Sequence, residues 1–260
     1  MENNAVIYQL EGNTARITLN RPDVFNAFNN DQSFQLQDAL KQATRDANVR
    51  VVVLTGAGKA FCSGQDLKAI AGESNRSLSD SLYKRYNPII RAMRDMPKPI
   101  ICRLNGVAAG AGASLALACD FIVAAENASL IEVFVNVGLV PDSGSSYFLA
   151  RGISPARAFE LCTMASKVSA AEALSLGLIN RVCTADQLDE EVNKVADYYA
   201  NAPTLAIGMI KKMLNKAPTS NLEDALQYEA YCQEIAGRSH DYREGVTAFN
   251  EKRKAVFTGK

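Results

Sequence analysis

The first forty residues set out two kinds of hydrophobic spacing. AVIYQL and ARITLN alternate apolar and polar positions on either side of Glu11-Gly12-Asn13, which predicts an antiparallel hairpin. Asn20 to Asp23 breaks that alternation. From Asp31, a candidate N-cap, to about Asp46, the apolar residues Phe34, Leu36, Ala39, Leu40 and Ala43 fall on or near one helical side. Two β-branched runs follow, VRVVVLT and KPIICRL, predicting strands over 50–55 and 99–104. Between them a helix is expected from about Leu78 to Met93, stopping before Pro97 and Pro99. The polar stretch AGESNRSLSDS reads as mobile surface. Short strands are expected at 120–125 and 129–135.

Beyond residue 143 the spacing is helical. Ser154 and Ser169 stand as N-caps, and Gly177 as a C-cap. Longer helices are expected over 185–200, 203–216 and 221–236, with a last one inside 239–252. The reading is therefore an α/β chain, with a sheet-and-helix core over 1–200 and a helical region over 201–260. That last region carries Leu205, Ile207, Ile210, Met213, Leu214, Leu222 and Leu226. So much apolar surface either folds back on the core or packs against another subunit.

Composition narrows the function. The chain has 260 residues, with Lys plus Arg and Asp plus Glu both at 28, so its formal net charge is zero. No basic strip points to nucleic acid, and no apolar run is long enough for a bilayer. The first residues lack the basic and apolar regions of a secretory signal, so a cytoplasmic location is expected. Six cysteines lie scattered without C-x-x-C spacing, as buried reduced thiols would. The one histidine, His240, sits in a polar stretch as a loop or helix-start residue. One histidine is too few for a usual zinc or iron site, and no G-x-S-x-G elbow is present. No metal is expected.

The candidate chemistry lies in two glycine-bearing turns, GKAFCSGQDL (58–67) and NGVAAGAGASLALACD (105–120). Each follows a β-branched run and opens onto a segment that reads as helix. Small residues at such turns let a ligand approach unpaired backbone N–H groups. Two of them facing one another could hold a developing oxyanion, which suggests chemistry on a carbonyl.

LNRPDVFNAF, LTGAGKAFCSGQDL, KPIICRLNGVAAGAGASLALACD, VGLVPDSGSSYFLAR, SAAEALSLGLINRV and the terminal FNEKRKAVF occur in this order. On these motifs the chain resembles the crotonase (enoyl-CoA hydratase/isomerase) superfamily over nearly all its length. The resemblance implies a crotonase-like spiral of ββα units and a C-terminal helical trimerisation region, giving a homotrimer or a dimer of trimers. It implies an acyl-CoA thioester as substrate and no metal or redox cofactor, coenzyme A entering only as part of that thioester. It maps the two oxyanion amides onto Cys62 and onto Ala111, the middle residue of Gly110-Ala111-Gly112. Ala60, Ser63, Gly64, Gln65, Asp66 and Leu67 match the segment lining the CoA sites, although Gln65 and Asp66 would equally cap a following helix. Lys252 and Phe257 resemble C-terminal residues that contact CoA, and an exposed helix lysine is also an ordinary surface feature.

Hydratases of this superfamily activate water with two glutamates, and those positions hold Ser114 and Phe134 here. A hydroxyl and a phenyl ring cannot replace two carboxylates in that task. Asp142, directly after Pro141, matches the single acid/base of isomerase branches. Its segment is most similar to isomerases acting on ring-epoxyphenylacetyl-CoA and to those moving a double bond from position 3 to position 2. Apolar neighbours Phe134, Val135 and Val140 would raise its pKa. Asp142 could alternatively cap the next helix. Glu132, two residues from Phe134 on a strand, is a rival base whose default is a solvated surface residue. The dehalogenase branch also carries Asp at position 142, but with a Trp and an essential His for which this chain has no counterpart. Isomerisation is thus the leading expectation, with hydration, or a catalytically inactive acyl-CoA binder, as alternatives.

Overall fold

The computed structural model describes residues 4–69, 71 and 77–260. Of the polar stretch read as mobile surface, residues 72–76 lie outside the described residues. The strands are β1 (Val6–Glu11), β2 (Thr14–Leu19), β3 (Val51–Gly56), β4 (Ala60–Cys62), β5 (Ile100–Leu104), β6 (Val107–Ala109), β7 (Phe121–Ala125), β8 (Ser129–Ile131), β9 (Val168–Ser169) and β10 (Arg181–Cys183). The helices of the core are α1 (Asn30–Arg45), α2 (Leu78–Ser81), α3 (Asn87–Asp95), α4 (Ala111–Leu117), α5 (Ser145–Gly152), α6 (Pro155–Met164), α7 (Ala170–Ser175) and α8 (Leu188–Ala200). After them come α9 (Thr204–Lys216), α10 (Leu222–Gly237) and α11 (His240–Asn250). A π-helical stretch, Leu82–Tyr86, joins α2 to α3.

Two sheets organise these elements. The larger runs β1-β2-β3-β5-β7-β10, and the smaller β4-β6-β8-β9. The expected hairpin forms with Glu11 paired to Thr14, while β2, β3, β5, β7 and β10 run parallel. Both faces of the central strands are buried. Val52, Leu54, Ile100, Cys102, Ile122 and Ala124 point into the main core, and Val51, Val53, Ile101, Val123 and Ala125 pack against Leu188, Val192, Val195 and Ala196 of α8. This double burial is why these segments read as continuous apolar runs rather than alternating ones.

Several sequence expectations shift. The first long helix is capped by Asn29, whose side chain accepts from the Gln32 amide, not by Asp31, and Phe34 is exposed while Leu36, Ala39, Leu40 and Ala43 are buried. Ser154 and Ser169 do cap their helices, accepting from Arg157 and Glu172. The first glycine turn leads into β4, and Ser63 to Ala69 that follow are not helical. In the second, β6 intervenes between the turn and α4. The expected strand over 129–135 stops at Ile131, and Val133–Val137 form a 3-10 turn that closes on Gly138 at φ +71°.

The helical region is tied to the core by buried charge. Lys211 of α9, 7% exposed, donates from Nζ to Asp120 Oδ2 at 2.6 Å and to the carbonyls of Met93 and Lys98. Asp120 also takes Arg94 Nη1 at 3.0 Å and the Ile100 amide at 2.9 Å. Burial pulls the Lys211 pKa down, opposed by the Asp120 charge. Breaking such a pair leaves a buried charge half-compensated. Lys211→Ala is therefore expected to lower the unfolding free energy by about 3 kcal/mol, measured by urea titration. A loss under ~0.5 kcal/mol, the level of an ordinary surface change, would refute this role.

Candidate active site

The two glycine turns meet where β4 and β6 run side by side, Cys62 pairing with Ala108. Asparagine side chains brace the first turn. Asn26, fully buried, donates from Nδ2 to the carbonyls of Ala57 and Ala60, and its own carbonyl accepts from Gln32 Nε2 and Cys62 Sγ. Asn105 donates to Gly58 and Ala60 carbonyls and accepts from the Gly56 amide. The sequence motifs contain both asparagines, but their clamp spans partners some thirty to fifty positions away, so no local spacing announces it.

Gly106 and Gly112 both touch the first turn closely, Gly106 with a β-carbon position 2.1 Å from the Lys59 carbonyl oxygen. A β-carbon at Gly112 would stand 2.2 Å from the Cys62 carbonyl oxygen and 2.8 Å from Cys62 Cβ. Gly110 adopts φ +53°, a left-handed conformation that favours glycine. Its α-carbon face looks at Val133 and Phe134, the Phe134 ring lying 3.8 Å from where a side chain would begin. Ala111 opens α4, so its N–H lacks an intrahelical acceptor. The Cys62 thiol is buried, which pushes its pKa up to about 12 despite a backbone hydrogen bond at Gly64. It is a poor nucleophile at neutral pH.

Asp142 reaches this centre through α4. Its carbonyl accepts from Ser114 Oγ at 3.0 Å and from the Ser145 amide at 3.0 Å, and Ser114 lies one turn beyond Ala111. Its carboxylate accepts from Ser143 Oγ at 2.7 Å, with Ser143 held at φ +53° and Gly144 at +88°. Burial raises the Asp142 pKa, and the Ser143 hydrogen bond partly offsets that. Phe134 is buried, but Val135 and Val140 are exposed, Val140 at 77%, so those two valines do not enclose the carboxyl. Phe28, Tyr86, Ile89, Ile90 and Leu115 close around Ala111 and Ser143, leaving an apolar crevice too narrow to hold a water molecule.

Glu132 departs most from the sequence reading. It is 4% exposed rather than solvated, and it precedes a 3-10 turn, so the strand argument that paired it with Phe134 fails. Both its oxygens contact Ser145 Oγ, at 3.0 and 2.9 Å. Burial first, then the nearby Asp142 charge, raise its pKa to about 7 against the pull of Ser145.

The remaining sequence candidates divide into two groups. Ala60 is buried in the clamped turn, the Ser63 hydroxyl donates to the Val24 carbonyl, and the Gly64 carbonyl accepts from Phe28. Gln65 sits close by, its Oε1 accepting from Tyr86 OH at 2.6 Å and Arg85 Nη2 at 3.0 Å. Asp66 pairs with Arg21 and caps the Ala69 amide; its pKa, although raised by burial, ends below the usual carboxylate range through Arg21. Leu67 is exposed at the rim. Ser114, by contrast, is fully enclosed, its hydroxyl engaged by protein partners. Lys252 lies just past α11, and Phe257 rests on Gly245 of that helix, its carbonyl accepting from Arg50. Arg85 and Tyr86 were not singled out in the sequence, and Tyr86 walls the crevice.

Two turns in contact, the start of a helix and a half-buried aspartate tied to that helix by its carbonyl thus lie in one region of the fold. The enoyl-CoA hydratase/isomerase family model matches residues 9–260, and the chain belongs to that family. It is 41% identical over 258 residues to 1,2-epoxyphenylacetyl-CoA isomerase of Escherichia coli, covering 98% of each chain. It is 39% identical to a Rhodobacter capsulatus protein named "Probable enoyl-CoA hydratase", over the full length of both. The solved structure of enoyl-CoA hydratase from Bacillus anthracis superposes with a TM-score of 0.94 at 32% identity, covering 98% of this chain and 100% of that one. The crotonase-like fold read from the motifs is thus present, and the chain is an acyl-CoA hydratase/isomerase-type enzyme.

Gly112→Ala would force Cys62 away from α4. It is expected to lower kcat by about 100-fold, the cost of an ångström-scale misplacement, together with the melting temperature. Unchanged turnover of an acyl-CoA substrate would show that the contact does not set the site.

Proposed function

We propose that this protein is an acyl-CoA isomerase acting by enolate-stabilised proton transfer, on a 3-enoyl-CoA or a 1,2-epoxyphenylacetyl-CoA type of substrate. The observation that carries this reading is the anchoring of Asp142, by its carbonyl, to the helix that begins at Ala111. On a 3-enoyl-CoA, the Asp142 carboxylate takes a proton from the α-carbon. The electron pair moves into the thioester carbonyl, and the N–H groups of Cys62 and Ala111 hold the oxyanion. The carboxylic acid so formed returns the proton to the γ-carbon, and the double bond ends at position 2. One carboxyl serves both steps. At the two positions where hydratases place glutamates, Ser114 and Phe134 are buried and carry no carboxyl, which favours isomerisation over hydration.

The CoA portion is assigned to Ala60, Ser63, Gly64, Gln65, Asp66 and Leu67. Lys252 and Phe257 are assigned to CoA bound with a neighbouring copy. That assignment requires an oligomer, a homotrimer or a dimer of trimers, in the cytoplasm. Ile210, Leu214 and Leu226 of the last helices are exposed at 52%, 67% and 49% in the single chain, as a subunit contact would leave them.

Asp142→Asn is expected to lower kcat for a 3-enoyl-CoA by about 10³-fold while binding of the CoA ester, read by calorimetry, persists. Since the carboxylate is the active form and burial raises its pKa, wild-type kcat should climb with pH through a value above the ordinary aspartate range. Full turnover in the variant, or brisk hydration of crotonyl-CoA by the wild type, would reject the assignment. Sedimentation should give three or six chains, with Leu214→Glu shifting the protein toward single chains; a monomeric wild type would remove the basis for placing Lys252 and Phe257 at the site.

A further inference from the structure

Glu132, Ser145, Ser114 and the Asp142 carbonyl form an unbroken line of oxygens through the protein interior. The successive contacts are 2.9 Å from Glu132 to Ser145 Oγ, 2.7 Å from Ser145 Oγ to Ser114 Oγ, and 3.0 Å from Ser114 Oγ to the Asp142 carbonyl. Each contact of that length needs one proton between its two oxygens. The carbonyl has none to give, and the two serines bring one each. The third proton can come only from Glu132. With Glu132 ionised, Ser145 must turn to it, and Ser114 then serves either Ser145 or Asp142 but not both. One short contact is left without a proton, in an interior where Glu132, Ser145 and Ser114 are 4%, 0% and 0% exposed.

We propose that Glu132 is a positioning residue whose neutral carboxylic acid donates into the Ser145–Ser114 hydroxyl chain and so fixes the Asp142 backbone against the helix that begins at Ala111. The inference rests on the reading of Asp142 as the base. Donation then runs one way, from Glu132 to Ser145, to Ser114, to the Asp142 carbonyl. The environment suits an uncharged acid. The titratable groups facing Glu132 are Asp142, from the loop before α5, and Cys162 of α6, both of which carry negative charge on ionising. Among the described residues no Lys or Arg pairs with it. Burial and the Asp142 charge together raise its pKa to about 7.

Its role differs from that of Asp142 in the direction of its pH dependence. Asp142 must lose its proton to act, whereas Glu132 must keep its own. Wild-type kcat on a 3-enoyl-CoA should therefore rise with Asp142 ionisation and fall again as pH passes about 7. Glu132→Gln carries a donating amide at every pH, so the high-pH fall should vanish while kcat on the acid side stays within about threefold of wild type. Glu132→Ala has no donor, and its kcat should lie about tenfold lower, without the high-pH fall. Ser145→Ala cuts the chain while leaving Glu132 in place and should also lose that fall, which keeps the test open where Glu132→Ala does not fold.

Infrared difference spectra across pH 7 supply a readout independent of turnover. Wild type should lose a protonated carboxyl C=O band as pH rises, and Glu132→Gln should lack that band change. A high-pH fall unchanged in Glu132→Gln or in Ser145→Ala would overturn the proposal, as would Glu132→Gln no better than Glu132→Ala, or the absence of the band. Turnover retained in Asp142→Asn, by contrast, would reject the base assignment.

Discussion

The contact of Gly112 with the Cys62 carbonyl is the constraint on which the site depends. β4 and β6 lie parallel because the chain twice leaves the large sheet and re-enters the small one, and only a residue without a side chain lets α4 come against the end of β4. That closeness brings Cys62 and the start of α4 together as neighbouring backbone. Asn26 and Asn105 hold the carbonyls of the first turn from the opposite side. The contact between the turns is thus made by main chain and amide side chains, none of which titrates.

The carboxyls add what the backbone cannot. Two neighbouring acidic groups repel when both are charged, so burial sorts them into different states. Asp142 keeps partial exposure and a hydroxyl donor in Ser143, which favour its carboxylate. Glu132 is more deeply enclosed, and that burial favours its acid despite the Ser145 hydroxyl. The serines between them convert that difference into position, since Ser114 belongs to α4 and Ser145 begins α5.

The fold was legible wherever burial stamps a period on the chain. β3 and β5 read correctly because both their faces are covered, and α6 and α7 because Ser154 and Ser169 cap them locally. Val133–Val137 misled because V-F-V-N-V carries strand chemistry, while Gly138 supplies the left-handed residue that closes a 3-10 turn. Glu132 misled for a different reason. Its hydrogen-bond partner is Ser145, thirteen positions on, so nothing in its immediate neighbours distinguishes it from a surface glutamate. The family motifs located Asp142, Cys62 and Ala111, but the asparagine clamps and the Tyr86 wall emerge only from contacts between distant segments.

The helical region shows how such a site tolerates an exposed apolar layer. Lys211, Arg94 and Asp120 lock α9 to the ends of α3 and β7 through buried, directional charge, while Ile210 and Leu214 on the same helix remain outside. The C-terminal segment is fastened in the same manner, with Asp241 accepting from the Thr258 and Gly259 amides and Arg50 donating to the Phe257 carbonyl. An interface built only from apolar helix would be free to slide. Polar locks at specific residues instead hold α9 and the Phe257 segment in one place, so the exposed apolar side chains of α9 stand on a rigid surface.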